Sequence, residues 1–254
     1  MQIVPPRLLV INPNISTSVT DLIEAEARQC CRADTQLTMR TAHSGVAYIE
    51  TRFEAMLGAY AAAEIAAQDG ANHDAVVVAA FGDPGVLELR EILSVPVVGL
   101  TEAALSTACL LGQRIAIIAI SQRIQAWYRE VVQRCGLEGR LASIRALDKP
   151  LASVGSIQED HAQALLALAL TAVEVDGADV LILAGAPLAG LAREVADQLP
   201  VPVVDGVSCA IRQAELLVAT RPAPARMGSF CLPPRKPLQG LPPAIERLLA
   251  GPSA

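Results

Sequence analysis

One pattern occurs twice in this sequence, and it governs what the chain can fold into. Residues Asp74 to Ala80, a Gly/Pro turn, a helical stretch and Val95-Pro96-Val97-Val98-Gly99 form the first copy. The second runs from Ala178 to Ala184, again through a Gly/Pro turn and a helical stretch, to Val201-Pro202-Val203-Val204-Asp205. The opening run Leu8 to Asn12 likewise matches Ile115 to Ala119. All three pairs are offset by roughly 105 positions, about the length of one small domain. Three elements in the same order at the same offset imply a duplicated unit, and so two lobes related by a pseudo-twofold axis.

Each copied run is rich in β-branched residues and too continuous to have a wet face, as in Ala75 to Ala80, Arg114 to Ile118 and Asp179 to Leu183. Parallel strands buried on both sides read this way. Between them lie amphipathic stretches at Thr20 to Cys31, Thr51 to Gln68, Thr101 to Leu111, Gln122 to Gly136 and Glu159 to Asp176. Strand, helix, strand at this spacing means right-handed βαβ units. The expected fold is α/β, with each lobe a parallel-sheet α/β sandwich and a cleft between the two. Residues 1–99 and about 207–254 would form the first lobe and residues 100–206 the second. Residues 221–254 read as a Pro-rich tail over the surface, with one short helix at Ala244 to Leu249.

Composition narrows the function. Apolar residues make up 52% of the 254 and charged ones 18%, enough for a sizeable core. Aromatic residues are only 3%, so the core is aliphatic and base-stacking platforms are not expected. A net charge of −6 argues against nucleic acid as a partner but leaves a small anionic substrate open. Apolar runs such as Ile115 to Ile120 are too short to cross a bilayer, and Met1 to Arg7 does not read as a signal peptide. A soluble cytoplasmic protein without membrane partners, assembling as a homo-oligomer, is the expectation.

The six cysteines (Cys30, Cys31, Cys109, Cys135, Cys209, Cys231) show no CxxC spacing, and the three histidines have no nearby co-ligand, so no metal site is expected. Both lysines, Lys149 and Lys236, precede proline in loop-like sequence, which disfavours a Schiff-base lysine. No Gly-rich phosphate loop follows a strand. These readings leave a cofactor without an attachment point.

Ligands of open parallel sheets bind beyond the carboxyl ends of the strands. Here those ends are the turn Asn12 to Thr17, the turn Phe81 to Gly85, Ser121, and the turn Gly185 to Gly190. Asn12, Ser16 and Thr17 offer side-chain donors and helix N-terminal N–H groups to a carboxylate, and Asn14 or Ser16 can equally cap the helix. Gly82 to Gly85 could present backbone N–H groups to an enolate oxygen. Asp83 reads either as a proton carrier or as a turn former before Pro84-Gly85. Thr101-Glu102 either faces the cleft or starts a helix. His43 is the one histidine near a site-forming segment, and a plain surface histidine is the alternative. Ser121 is a further donor.

Ile11-Asn12-Pro13-Asn14 with Ser16-Thr17, Phe81-Gly82-Asp83-Pro84-Gly85, and Pro187 to Leu191 resemble the aspartate/glutamate/hydantoin racemase family, nearest its hydantoin and allantoin racemase branch. Tyr48-Ile49-Glu50 and Thr101-Glu102-Ala103-Ala104 add to the likeness, which spans about residues 7–215. The resemblance implies the two-lobed fold, no cofactor, and action at an acidic carbon beside a carboxylate or ring carbonyl. It also implies one cysteine at the end of each copied strand, because racemisation removes a proton from one face and delivers one to the other. In this sequence those positions are Ala80 and Gly185. Cys109 and Cys209 sit on later helices, in packing positions.

The implied function is therefore racemase or isomerase chemistry on a small carboxylate or hydantoin-like cyclic ureide, by a route without two thiols. A decarboxylase or lyase of the same fold, or an inactive small-anion-binding protein, are the alternatives. Candidate catalytic residues are Asp83 and His43. Candidate binding residues are Asn12, Ser16, Thr17, Ala80, Phe81, Gly82, Ser121, Gly185, Ala186 and Pro187.

Overall fold

The computed structural model describes residues 5–148 and 156–250, so the start of the N-terminal segment and Lys149 lie outside the described residues. Four parallel strands form the first sheet: β1 (Arg7–Asn12), β2 (Gln36–Thr41), β3 (Ala75–Val78) and β4 (Val97–Gly99), in the order β2-β1-β3-β4. The second sheet holds β5 (Ile115–Ala119), β6 (Leu141–Ala146), β7 (Val180–Leu183) and β8 (Val203–Asp205), in the order β6-β5-β7-β8. The second order repeats the first. Central strands β3, β5 and β7 are buried along their whole length, as their unbroken apolar runs require.

The edge strands β2 and β6 do not stand out as apolar runs. Their sequences, Gln-Leu-Thr-Met-Arg-Thr and Leu-Ala-Ser-Ile-Arg-Ala, mix polar and apolar residues because most of their side chains are only half-buried.

Among the described residues, nine helices cover the sheets: α1 (Thr17–Cys30), α2 (Arg52–Asp69), α3 (Val86–Ile92), α4 (Leu100–Leu111), α5 (Gln125–Arg134), α6 (Ile157–Glu174), α7 (Leu191–Val195), α8 (Gly206–Thr220) and α9 (Pro243–Ala250). Their starts are set by side chains. Ser16 caps α1, Thr51 and Glu54 form a reciprocal capping box on α2, and Asp205 accepts the N–H groups of Val207 and Ser208 on α8. The helix expected from Gln122 begins as a 3-10 turn over Gln122–Ile124, capped by Ser121, and becomes α-helical only at Gln125. The expected tail helix is α9, which packs on α2, while residues 221–242 cross the surface without regular structure.

Two helices tie the lobes together. Helix α4 follows β4 of the first sheet but packs on β7 and β5 of the second. Helix α8 follows β8 of the second sheet but packs on β3, β4 and α1 of the first. The two meet where Gly206 lies against Leu100; a Cβ at 206 would come within 2.8 Å of the Leu100 Cβ. One continuous apolar cluster consequently runs from Leu8 and Val77 in the first sheet to Ile117 and Ile182 in the second. Among the described residues, no helix is long and apolar enough to cross a membrane.

Candidate active site at the strand ends

The ladders of β1/β3 and β5/β7 end alike. Ala79 N–H donates to the Ile11 carbonyl at 2.7 Å, and Ala184 N–H donates to the Ile118 carbonyl at 2.8 Å. Beyond these bonds the chain leaves each sheet. Among the described residues, the N–H groups of Ala80 and Phe81, and those of Gly185 and Ala186, meet no hydrogen-bond acceptor. Backbone donors inside a protein are nearly always paired, so two adjacent orphans at each strand end suit an acceptor brought from outside.

The two positions offer different room. Ala80 is buried. Gly185 has φ +114°, and a Cβ there would meet only Pro187 Cδ at 3.6 Å and Ile120 Cδ1 at 4.0 Å. The space is open but the backbone favours glycine.

The turn after Ala80 is committed to structure. Gly82 N–H donates to Thr101 Oγ1 at 2.6 Å, and Asp83 N–H donates to the Ala80 carbonyl at 3.2 Å, so neither is free to act as an oxyanion donor. Asp83, with φ +54°, turns its carboxylate onto the start of α4, where Oδ1 accepts Thr101 N–H at 2.8 Å and Oδ2 accepts Glu102 N–H at 2.9 Å. It thereby caps a helix that lies 16 residues on (Asp83 to Gly99, the residue before α4). Gly99 makes the approach possible, because a Cβ there would stand 2.4 Å from Asp83 Cγ. Burial outweighs the two backbone donors and pushes the Asp83 carboxyl up to about 6. Glu102 points away to Arg90, at 2.6 Å.

Asn12 is equally occupied. Its Nδ2 donates to Asn14 Oδ1, the Ser16 carbonyl and Thr20 Oγ1, at 3.1, 3.0 and 3.0 Å. The residue shapes the turn before α1, and its donors do not face outward. Ser16 Oγ accepts the Val19 N–H, while Thr17 is exposed at the first position of the helix. Ser121 Oγ accepts the Arg123 N–H. The Pro187 carbonyl, with that of Ala189, accepts Gln158 Nε2 at 2.9 Å. His43 is exposed on the loop after β2, and a backbone bond from Ile15 to Val46 holds that loop to the Asn12 turn.

The strand ends of each half meet the first helix of the other. Phe81 packs on Tyr128 of α5, and the Trp127 ring lies against Gly82, where a Cβ would fall 2.2 Å from Cζ2. Reciprocally, Gly190 lies against Glu26 of α1, which pairs with Arg193 of α7. A surface pair, Arg52 Nε to Glu130 at 2.9 Å, adds to the seam. Trp127 and Tyr128 were not among the sequence candidates, because an aromatic on an amphipathic helix reads as core. The one signal was scarcity, in a chain with three Phe, three Tyr and one Trp.

Cys30 and Cys209 are buried, and desolvation raises them to about 12 and about 11; Cys135 is also raised to about 11. These thiols stay protonated near neutral pH; Cys30 and Cys209 sit on α1 and α8, and Cys135 just past the end of α5. Among the described residues, no three His, Cys, Asp or Glu side chains gather as metal ligands would. Two open depressions, of about 650 and 550 Å³, lie elsewhere, one beside Glu215 and Arg221 and the other between α2 and the tail.

The two sheets with one repeated strand order find their match among known proteins. The Asp/Glu/Hydantoin racemase family model covers residues 8–214. The chain belongs to the Asp/Glu/hydantoin racemase family. The hydantoin racemase of Paenarthrobacter aurescens is 36% identical over 235 residues, covering 91% of this chain and 98% of the relative. The allantoin racemase from Klebsiella pneumoniae superposes with a TM-score of 0.88 at 31% identity, covering 92% of this chain and 96% of that one. Arylmalonate decarboxylase, at a TM-score of 0.61 and 16% identity over 84% of this chain and 92% of its own, shares the fold.

Proposed function

We propose that this chain binds a small carboxylate or hydantoin-like cyclic ureide between the two strand ends and forms a carbanion or enolate there. Racemase or isomerase chemistry is the default. The reading is carried by the orphaned N–H pairs at Ala80-Phe81 and Gly185-Ala186, which would donate from opposite halves to an enolate oxygen as its negative charge grows. The first turn of α1, with exposed Thr17, would form the rim, alongside Ser121 and Pro187. On this reading Asp83 holds the loop in place and His43 is a peripheral group. Neither Ala80 nor Gly185 can move a proton, so the paired-thiol route implied by the resemblance is replaced by another.

That same feature favours a second reading. Breaking the C–C bond to release carbon dioxide leaves a carbanion without any base, and solvent water can then protonate it, so a site without side-chain proton carriers suits a decarboxylase. The shared fold of arylmalonate decarboxylase permits it. Cytoplasmic residence is part of the proposal, since six free cysteines with no disulfide suit a reducing compartment.

Incubation in heavy water with 5-substituted hydantoins, allantoin, amino acids and substituted malonates tests the reading. Deuterium at the carbon acid supports racemase-type chemistry, and released carbon dioxide supports the second reading. Thermal stabilisation by a ligand without either product would leave only a binding protein. Neither binding nor turnover across the panel would refute the proposal.

A further inference from the structure

One Phe, the only Trp and one Tyr converge behind β3: Phe81 on the loop, with Trp127 and Tyr128 on α5. Packing explains their rings. It does not explain the Tyr128 hydroxyl. The side chain is 2% exposed, yet its oxygen has no hydrogen-bond partner among the described residues. Nor is that oxygen sealed, because the one polar side-chain atom both sealed and unpartnered among the described residues is Ser143 Oγ. A phenylalanine would make the same ring contacts, so the hydroxyl is a donor held out to whatever enters the space it opens on.

The surroundings say what the hydroxyl could meet. Burial, and after it the charge of the nearby Asp83 and Glu50 carboxyl groups, holds the phenol in its neutral, donating form. Glu50 already takes the Tyr48 hydroxyl at 3.1 Å, and Asp83 is spent on α4. A ligand carboxylate placed beside these two groups would be repelled. A neutral carbonyl would not.

We propose that Tyr128 is a specificity-determining binding residue of the strand-end site, donating its hydroxyl hydrogen to a neutral ring carbonyl of a cyclic ureide. The inference rests on the site proposed above and selects the ureide over the carboxylate as its ligand. It also accounts for why a chain so poor in aromatics places a tyrosine against Phe81, one residue from Ala80.

The test uses the full chain carrying [13Cζ]tyrosine, which gives signals only from Tyr48, Tyr60 and Tyr128, with the last assigned by its loss in Tyr128→Phe. Titration with 5-benzylhydantoin or allantoin should move the Tyr128 signal saturably. Tyr128→Phe should bind the same ureide about tenfold more weakly or worse, the loss of one hydrogen bond. Its melting temperature without ligand should be unchanged, because the ring packing is kept. Ureide binding with a still Tyr128 signal, or a variant that melts lower but binds equally well, overturns the assignment and leaves the site proposal standing. Preference for phenylmalonate over both ureides overturns the ureide selection. Failure of every compound to bind overturns the site proposal, and the Tyr128 assignment with it.

Discussion

The ring of Phe81 lies on the ring of Tyr128, with centroids 4.8 Å apart and planes tilted by 56°. The first stands on the loop after β3 and the second on α5, so the pair fastens the site loop of one sheet to a helix of the other. Phe81 is 3% exposed. Phe81→Ala is expected to cost about 3–5 kcal/mol, from lost burial and an uncollapsed cavity. Urea unfolding measures this; a loss under about 1 kcal/mol would mean that the ring does not join the halves.

Asp83 makes stability depend on pH in a direction opposite to that of a salt-bridged carboxylate. Its ordinary value is 3.8, and in the folded protein it lies at about 6. Between those values the folded chain keeps a proton that the unfolded chain has lost. The contribution of this group is therefore greatest below about pH 4 and falls as pH rises to about 6, by up to about 1.4 kcal/mol per unit. Urea midpoints of the wild type and Asp83→Asn across pH 4 to 7 should differ in slope. Parallel curves would contradict the buried placement. The variant should also be weaker at every pH, since an amide can accept only one of the two helix N–H groups.

Glu26 is 3% exposed and its main charged partner is Arg193, which is half in solvent. Burial already raises the Glu26 carboxyl despite that pair. Arg193→Met should cost about 2 kcal/mol, a figure reduced from that of a fully buried pair because the arginine is screened. The loss should shrink at low pH, where Glu26 binds a proton. Thermal melts at pH 5 and pH 8 measure it, and equal losses at the two would contradict the role.

Supplying thiols at the strand ends tests what the two positions can do. Ala80→Cys together with Gly185→Cys should raise the rate of deuterium exchange into a 5-substituted hydantoin above wild type. The change at 185 fits the available space but strains a backbone at φ +114°, so it should lower stability by about 1–2 kcal/mol. A folded double variant that binds ligand without any gain in exchange would show that the two positions do not face one carbon.

The architecture was legible because it is written twice in fully buried strands. Val76 to Val78 and Leu181 to Ile182 admit no wet face, so their strings survive as recognisable copies. The edge strands β2 and β6 are hidden by the same physics, since a half-buried strand such as Gln36–Thr41 needs no apolar run. The sequence places Asn12 to Ser16 and Phe81 to Gly85 at or just after strand ends, where the structure also has them, but does not show what their side chains do. The composition of Asp83-Pro84-Gly85 reads as a turn, and only the fold reveals that its carboxylate reaches Thr101 and Glu102. Asn12 reads as an outward donor, whereas three acceptors close around its amide. Tyr128 was missed because its partners, Phe81 and Asp83, come from a loop more than forty positions earlier, and no local spacing signals such a meeting.

On the proposed reading, the ends of β3 and β7 form one ligand site through their unpaired backbone donors. Titrating 15N-labelled protein with a 5-substituted hydantoin, while following the amide signals of Ala80, Phe81, Gly185 and Ala186, tests it most directly. All four should move together along one saturable curve. Ligand binding that shifts amides elsewhere, beside Glu215 and Arg221 for example, while these four stay fixed, would contradict it.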